Sequence, residues 1–278
     1  MKEVEIHLVT RRQISPRFIE MYNWQTCKDF ILKIITKYPQ SWRAEDLNVD
    51  FPVELKLAKL AYSTGTRYGY SLASNEVLCS ATSKYVLGIS DFSMISPIAI
   101  ELFLLHADEN LCLYGTMFSA TRWEDSSLSP DTFKQEMDWY KIYGKHEPQF
   151  IAYESRDLFN MVGGDLFFSL KAYKAVNGYD LAFDGGWGLA DYNLGSRVMR
   201  AGFRMARLGS ALHFQHEFHF NEKDDPSISD GSWVINKETG AKINWEKRTD
   251  TASYNRWCME QNVVRAPQGL EEVCGLLK

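Results

Sequence analysis

The sequence lacks any close cysteine pair. Cys27, Cys79, Cys112, Cys258 and Cys274 are odd in number, widely spaced and without a CxxC. That argues against a zinc ribbon or a thioredoxin-type site. Reduced thiols in a cytoplasmic protein are the simplest reading. Long apolar runs are also missing. The stretch Ile98 to Leu105 is short and broken by Glu101, so no transmembrane segment is expected. Met1 to Ile6 carries no apolar signal core. The expected location is cytoplasmic, with peripheral association with a membrane left open. A basic excess is absent too. Lys and Arg number 31 against 36 Asp and Glu, a formal net charge of -5. This counts against nucleic acid as a partner. The segment Thr10-Arg11-Arg12-Gln13 after the first expected strand has no glycine, which counts against a nucleotidyltransferase-type phosphate loop. No internal repeat is present.

What is there suits a soluble globular chain of 278 residues, 45% of them hydrophobic, with aromatics at 14%. Such a chain buries a substantial core without staples. Val4 to Val9 begins with period-two alternation and reads as a strand. Phe18 to Tyr38, with Phe30, Ile31, Ile34 and Ile35 apolar, reads as a helix closed by Pro39. Leu72 to Thr82 reads as a helix, Tyr85 to Ile89 as a buried strand ending at Ser90-Asp91, and Pro97 to His106 as a helix. Leu111 to Ser119 is a further strand. Glu124 to Pro148 reads as a long loop with a helix. Phe167 to Val176 is a strand-to-helix unit, Asp191 to Arg200 a helix stopped by Gly202, and Phe203 to Leu208 a short strand. Strands alternating with helices imply an α/β fold. Ligands in such sheets sit beyond the carboxyl ends of the strands, which singles out Asp91. Residues 1–220 read as one domain. Residues 221–278 are polar, weakly patterned and without functional signal, and read as a C-terminal extension packed on the same domain.

Four blocks then carry a resemblance over roughly residues 70–220. Lys84 to Pro97, with Asp91-Phe92-Ser93, resembles the strand leading into the DxD motif of GT-A glycosyltransferases. Gly163-Gly164-Asp165, followed by Tyr173 and Val176-Asn177-Gly178-Tyr179-Asp180, is similar to a block of family 2 and galactosyltransferase-like enzymes, chondroitin polymerases among them. Gly186-Trp187-Gly188-Leu189-Ala190-Asp191, ending in Arg200-Ala201-Gly202, resembles their "W-G-x-E-D … R-x-G" block. Leu212-His213-Phe214-Gln215-His216 resembles their late histidine pair. Order and spacing agree across all four.

The resemblance implies a GT-A (Rossmann-like) α/β fold, a mixed and mostly parallel sheet with helices on both faces. It implies transfer of a sugar from a nucleotide-diphosphate sugar, a UDP-sugar by preference, to a hydroxyl of a glycan or other acceptor, with inversion as the default. It also implies a divalent cation, Mn2+ or Mg2+, bridging the diphosphate. Asp191 falls at the family's catalytic base and Asp91 at the donor and metal position. His216, or else His213, falls at a metal ligand; His219 and Glu217 are lesser candidates. Ser93 replaces the second Asp of DxD, and a hydroxyl is a far weaker ligand than a carboxylate. Ala190 replaces the first acid of the "E-D" pair. These two losses support a rival reading, a degenerate sugar- or nucleotide-sugar-binding protein.

The other candidates each have a structural alternative. Asp91 could be a turn residue after a strand. Asp191 sits where a helix N-cap would be. Gly164 would let backbone approach the donor, with Asp165 accepting from its hydroxyls, or the same residues form a tight turn. Trp187 would lie against a sugar ring, or in the core, with Tyr192 nearby. Arg11 or Arg12 would contact phosphate, as would Arg67, or all three are solvated.

Overall fold

The structure is a computed structural model, and it describes residues 3–10, 13–36, 39–60, 70–91, 93–120, 147–152, 165–184, 189–216, 234–235, 242–243 and 245–278. Strand β1 (Val4–Thr10) buries Val4, Ile6 and Leu8 on one face and Glu5 and His7 on the other. A strand covered on both sides belongs at the centre of a parallel sheet. Its parallel neighbours are β2 (Phe30–Thr36) and β4 (Tyr85–Ser90), and β3 (Val53–Leu57) adds beyond β2. Antiparallel pairing joins β4 to β8 (Leu166–Ser169) and β8 to β6 (Leu111–Ala120). Strand β9 (Arg204–His216) then runs parallel to β6. It pairs antiparallel with β5 (Ser93–Ile95) and with β7 (Gln149–Phe150). The path is β3-β2-β1-β4-β8-β6-β9-β5, a nine-stranded sheet with β7 counted. A separate antiparallel ribbon joins β10 (Val234–Ile235) to β11 (Lys242–Ile243).

Two cores follow from strand alternation. Leu87 joins Ile6, Leu8 and Leu113 on one face, with Phe18 and Ile19 of α1 (Pro16–Glu20) and Ile100 and Phe103 of α3 (Ala99–Leu105). Val86 joins Tyr114 and Phe168 on the other, with Tyr173 of α4 (Leu170–Ala175) and Leu194 and Val198 of α5 (Ala190–Arg200). Helix α2 (Tyr70–Cys79) adds a third cluster through Leu72, Ala73 and Val77.

The helix expected over Phe18 to Tyr38 is not formed. The chain makes the short α1, one 3-10 turn over Met21–Trp24, and strand β2. Phe30, Leu32, Ile34 and Ile35 are all buried, because β2 is covered on both faces. A doubly buried strand loses the alternation that would distinguish it from a helix, and its β-branched content was the better guide. The strand expected at Phe203 to Leu208 is also longer than read, running on to His216.

The C-terminal residues form α6 (Trp245–Glu260) and α7 (Leu270–Leu276). Leu270 and Val273 are buried against the second and third clusters. Cys79, the last residue of α2, and Cys274 of α7 are joined in a disulfide with their Cα atoms 5.5 Å apart. The reading of five reduced thiols therefore fails for this pair. The two are 195 residues apart in sequence, and only the folded topology brings them together.

Candidate functional site

The carboxyl ends of β1 and β4 lie side by side, with Val9 in register with Ser90. There the Thr10 hydroxyl donates to Asp91 Oδ2 at 2.8 Å, both residues being buried. Asp91 thus occupies the position that open α/β sheets reserve for ligand-contacting groups. Ser93 is completely buried, and its Oγ lies 2.5 Å from Ser90 Oγ. Its hydroxyl is engaged inside the fold beside the Asp91 turn.

Backbone pairing carries the late histidines to the same region. Ser93 pairs with Gln215 and Ile95 with His213, while His216 pairs with Ala120 on the other side of β9. His213 and His216 lie on a strand, three positions apart, an odd separation in a period-two element.

Asp191 is the second residue of α5, two positions past the actual cap, and is not the cap that the sequence suggested. The cap is Leu189, with φ 69 and ψ -9. A leucine in the left-handed region is unusual and costs about 1–2 kcal/mol. That twist turns the chain sharply into the helix, leaving the half-buried Asp191 in the first turn, where the helix dipole favours negative charge.

Tyr70 is the first residue of α2. Burial raises its phenol pKa well above the ordinary range, and the charges of Asp191 and, more weakly, Asp91 push the same way. The Tyr70 ring meets Tyr179 edge-on with centroids 5.5 Å apart, and Tyr179 is followed by Tyr173 at 6.2 Å. These three rings line a small cavity with His7, Val9, Ser74 and Gly88. A Cβ on Gly88 would lie 3.6 Å from the Tyr173 hydroxyl and 3.7 Å from that of Tyr179. Burial raises the pKa of both phenols well above normal, so all three remain neutral donors.

The supports of this cluster are specific. Asp184 accepts from the backbone N–H groups of Ser71 and Leu72, at 2.7 and 2.9 Å, which caps α2 directly behind Tyr70. Arg197, fully buried, donates from Nη1 to the Val176 carbonyl, from Nη2 to the Gly178 carbonyl and from Nε to Asn193 Oδ1. Burial draws its pKa down to about 10, with Asp180 opposing. The guanidinium fastens the turn before Tyr179 onto the helix that carries Asp191.

Asp165 is buried against β6. A Cβ on Gly115 would fall 1.7 Å from Asp165 Oδ2 and 1.9 Å from the Ala211 carbonyl oxygen. Gly115 sits at the register shift between Tyr114 and Thr116, where the strand must leave room for that carboxylate.

Arg11, Arg12, Arg67, Gly163, Gly164, Trp187, Glu217 and His219 lie outside the described residues, as does the loop read over Glu124 to Pro148, apart from 147 and 148. Tyr70, Asp184 and Arg197 were missed by sequence reasoning. Asp184 had a usable signal, an Asp directly before a glycine pair. Arg197 had none, because a lone basic residue in a helix ordinarily reads as solvated. Among the described residues no three His, Cys, Asp or Glu side chains cluster as a metal site. Asp91 offers a carboxylate, a hard oxygen donor, at the end of β4. No described helix is long and apolar enough to cross a membrane.

Residues 152–222 match the family model described as the N-terminal domain of galactosyltransferase. No curated protein matches the chain in sequence. Among solved structures, GalNAc-T7 with UDP, GalNAc and Mn2+ aligns with a TM-score of 0.50 at 11% identity, over 77% of this chain and 44% of that one. TarS from S. aureus aligns with a TM-score of 0.50 at 12% identity, over 77% of this chain and 36% of that one. The chain therefore spans less than half the length of either. At such identities the likeness is one of fold. The chain has the mixed, mostly parallel sheet of the GT-A fold, and its residues 152–222 are similar to the galactosyltransferase domain of that family model.

Proposed function

We propose that the protein transfers a sugar from a nucleotide-diphosphate sugar to a hydroxyl of a glycan or similar acceptor, with inversion. What supports this is the fold likeness to glycosyltransferases together with the buried Thr10–Asp91 contact at the adjoining carboxyl ends of β1 and β4. Asp91 follows β4, and Asp191 stands in the first turn of α5. In the reaction, the acceptor O–H proton passes to Asp191 while the oxygen attacks the anomeric carbon. The bond from that carbon to the diphosphate oxygen breaks, and the nucleoside diphosphate leaves. GalNAc-T7 was crystallised with UDP and Mn2+. On that analogy the donor is a UDP-sugar, and Asp91 would hold a divalent cation with oxygens of the diphosphate, His216 or His213 joining from β9. The cation would offset charge on the leaving group.

A second reading has its own observation. Ser93 replaces the second acid of the motif, its hydroxyl is bonded to Ser90, and Ala190 precedes Asp191. A protein that binds a nucleotide sugar without turning it over would tolerate both changes. Calorimetry with UDP and Mn2+, followed by transfer and hydrolysis assays over a donor panel, separates the two. Binding with turnover supports transfer. Binding without turnover over the whole panel supports the second reading, and no binding removes both.

A further inference from the structure

The C-terminal residues bind the turn that carries Tyr179 rather than a distant surface. The Ala266 N–H donates to the Val176 carbonyl at 3.0 Å, and the Leu270 N–H to the Asn177 carbonyl at 2.9 Å. The Asn177 side chain donates to the Ala266 carbonyl at 3.0 Å and accepts from the Glu271 N–H at 2.8 Å. The Leu181 N–H donates to the Gln268 carbonyl at 3.0 Å. Contact is so close that a Cβ on Gly269 would fall 2.0 Å from the Asn177 carbonyl oxygen. The same turn is gripped from the other side by Asn75 of α2. The disulfide from Cys79 to Cys274 closes the third side, tying α7 to the last residue of α2, the helix whose first residue is Tyr70.

We infer that Cys79 and Cys274 form an exchangeable thiol clamp, closed by a small-molecule disulfide oxidant, that secures α7 and thereby the Tyr70–Tyr179 contact of the candidate site. Both cysteines are only partly buried, and Gly275 and Leu276 beside Cys274 are exposed, which puts the bond near the surface. Cys112 and Cys258 are fully buried, and burial raises both thiols above their ordinary pKa, which keeps them inert. In the closing step one thiolate of the pair attacks a sulfur of the oxidant and releases one small thiol. The second thiolate attacks the resulting mixed disulfide and releases the other. Two electrons pass from the pair to the oxidant, and two protons end on the released thiols. Such a bond persists in an oxidising compartment, which points away from the cytoplasmic reading.

The reach of the clamp to the site rests on the function proposed above, so two readouts are needed. Protein matured in glutathione disulfide is denatured and alkylated without reduction. The 79–274 peptide pair and three alkylated cysteines, Cys27, Cys112 and Cys258, are expected; five alkylated cysteines overturn the clamp. Folded protein is then digested with trypsin before and after phosphine reduction. Reduction should speed cleavage at Arg265 at least about tenfold, as should Cys274→Ser without reductant. Unchanged cleavage on reduction of the wild type overturns the clamp even where the variant misfolds. Reduction should also weaken UDP binding in Mn2+ several-fold. Faster cleavage with unchanged UDP affinity overturns the link to the site. If neither form binds UDP, the donor reading fails, and the clamp stands or falls on the cleavage rates.

Discussion

Asn75 and Tyr179 exchange two hydrogen bonds. The Asn75 side-chain amide donates to the Tyr179 carbonyl at 2.7 Å, and the Tyr179 N–H donates back to Asn75 Oδ1 at 2.9 Å. Asn75 is wholly buried in α2, so no water replaces it. Asn75→Ala leaves two buried backbone groups unpaired, at about 1–3 kcal/mol each. A loss of about 2–4 kcal/mol is expected in urea denaturation. A loss below about 0.5 kcal/mol would show that the turn carrying Tyr179 relaxes freely, and its role as a fixed wall of the site would go.

Asp191→Asn tests the proposed base. The amide keeps the shape of the side chain in the first turn of α5 but accepts no proton. Affinity for UDP with Mn2+ should stay within about twofold, while transfer falls about 10²–10⁴-fold. Retained transfer would remove Asp191 from that role. Asp91→Asn should show the opposite pattern, with nucleotide affinity falling first.

Thr10→Val separates positioning from contact. The methyl keeps the volume at the end of β1 and removes the donor to Asp91 Oδ2. If that bond aims the carboxylate, nucleotide affinity should drop about threefold to tenfold, roughly the net worth of one ordinary hydrogen bond. Thr10→Ser should restore it. Equal affinity in Val and Ser variants would show that Asp91 is oriented without Thr10.

These tests address a site only partly legible in the sequence. The place of Asp91 at a strand end was legible because a short apolar strand ends in an acid, and that pattern needs no long-range information. The helices now labelled α2, α3 and α5 were legible for the same local reason. Strand β2 was not, since burial on both faces erases the period-two signal of Phe30 to Ile35. The cap at Leu189 was missed because nothing in a leucine announces a positive φ. Tyr70, Arg197 and the Cys79–Cys274 bond depend on partners about 20 to 195 residues away, and spacing along the chain carries no trace of such contacts.

Gly115→Ala should be severe for a stated steric reason. The new methyl meets both Asp165 Oδ2 at 1.7 Å and the Ala211 carbonyl at 1.9 Å. Side-chain movement can relieve the first contact but not the second. A loss of about 3 kcal/mol or more is expected. The double variant Gly115→Ala with Asp165→Ala should recover only part of it. Full recovery would show that the carboxylate alone dictates the glycine, and that β9 yields.

The last prediction concerns acid. Glu5, His7 and Lys33 meet inside the sheet, on the face of β1 opposite Ile6 and Leu8. Glu5 Oε2 lies 2.8 Å from Lys33 Nζ and 3.0 Å from His7 Nε2, and Oε1 accepts from the N–H groups of Thr82 and Ser83. Burial opposes ionisation of Glu5, but the hydrogen bonds from His7, Lys33, Thr82 and Ser83 outweigh it and hold its pKa far below the ordinary range. Burial also lowers the pKa of His7, against the pull of Glu5, so the folded protein keeps it neutral. Both shifts have the same sign for stability. The unfolded chain takes up the His7 proton near pH 6.5 and the Glu5 proton near about 4.3, while the folded chain resists both. Stability should therefore begin to fall below about pH 6.5 and fall more steeply below about 4.5. His7→Gln should flatten the first decline and leave the second. Lys33→Met should cost about 3–5 kcal/mol at pH 7, because it strips a buried carboxylate of its counter-ion. Stability of the wild type that is level from pH 7 to pH 5, and unchanged there by His7→Gln, would mean that His7 takes up its proton as readily in the folded protein as in the unfolded chain.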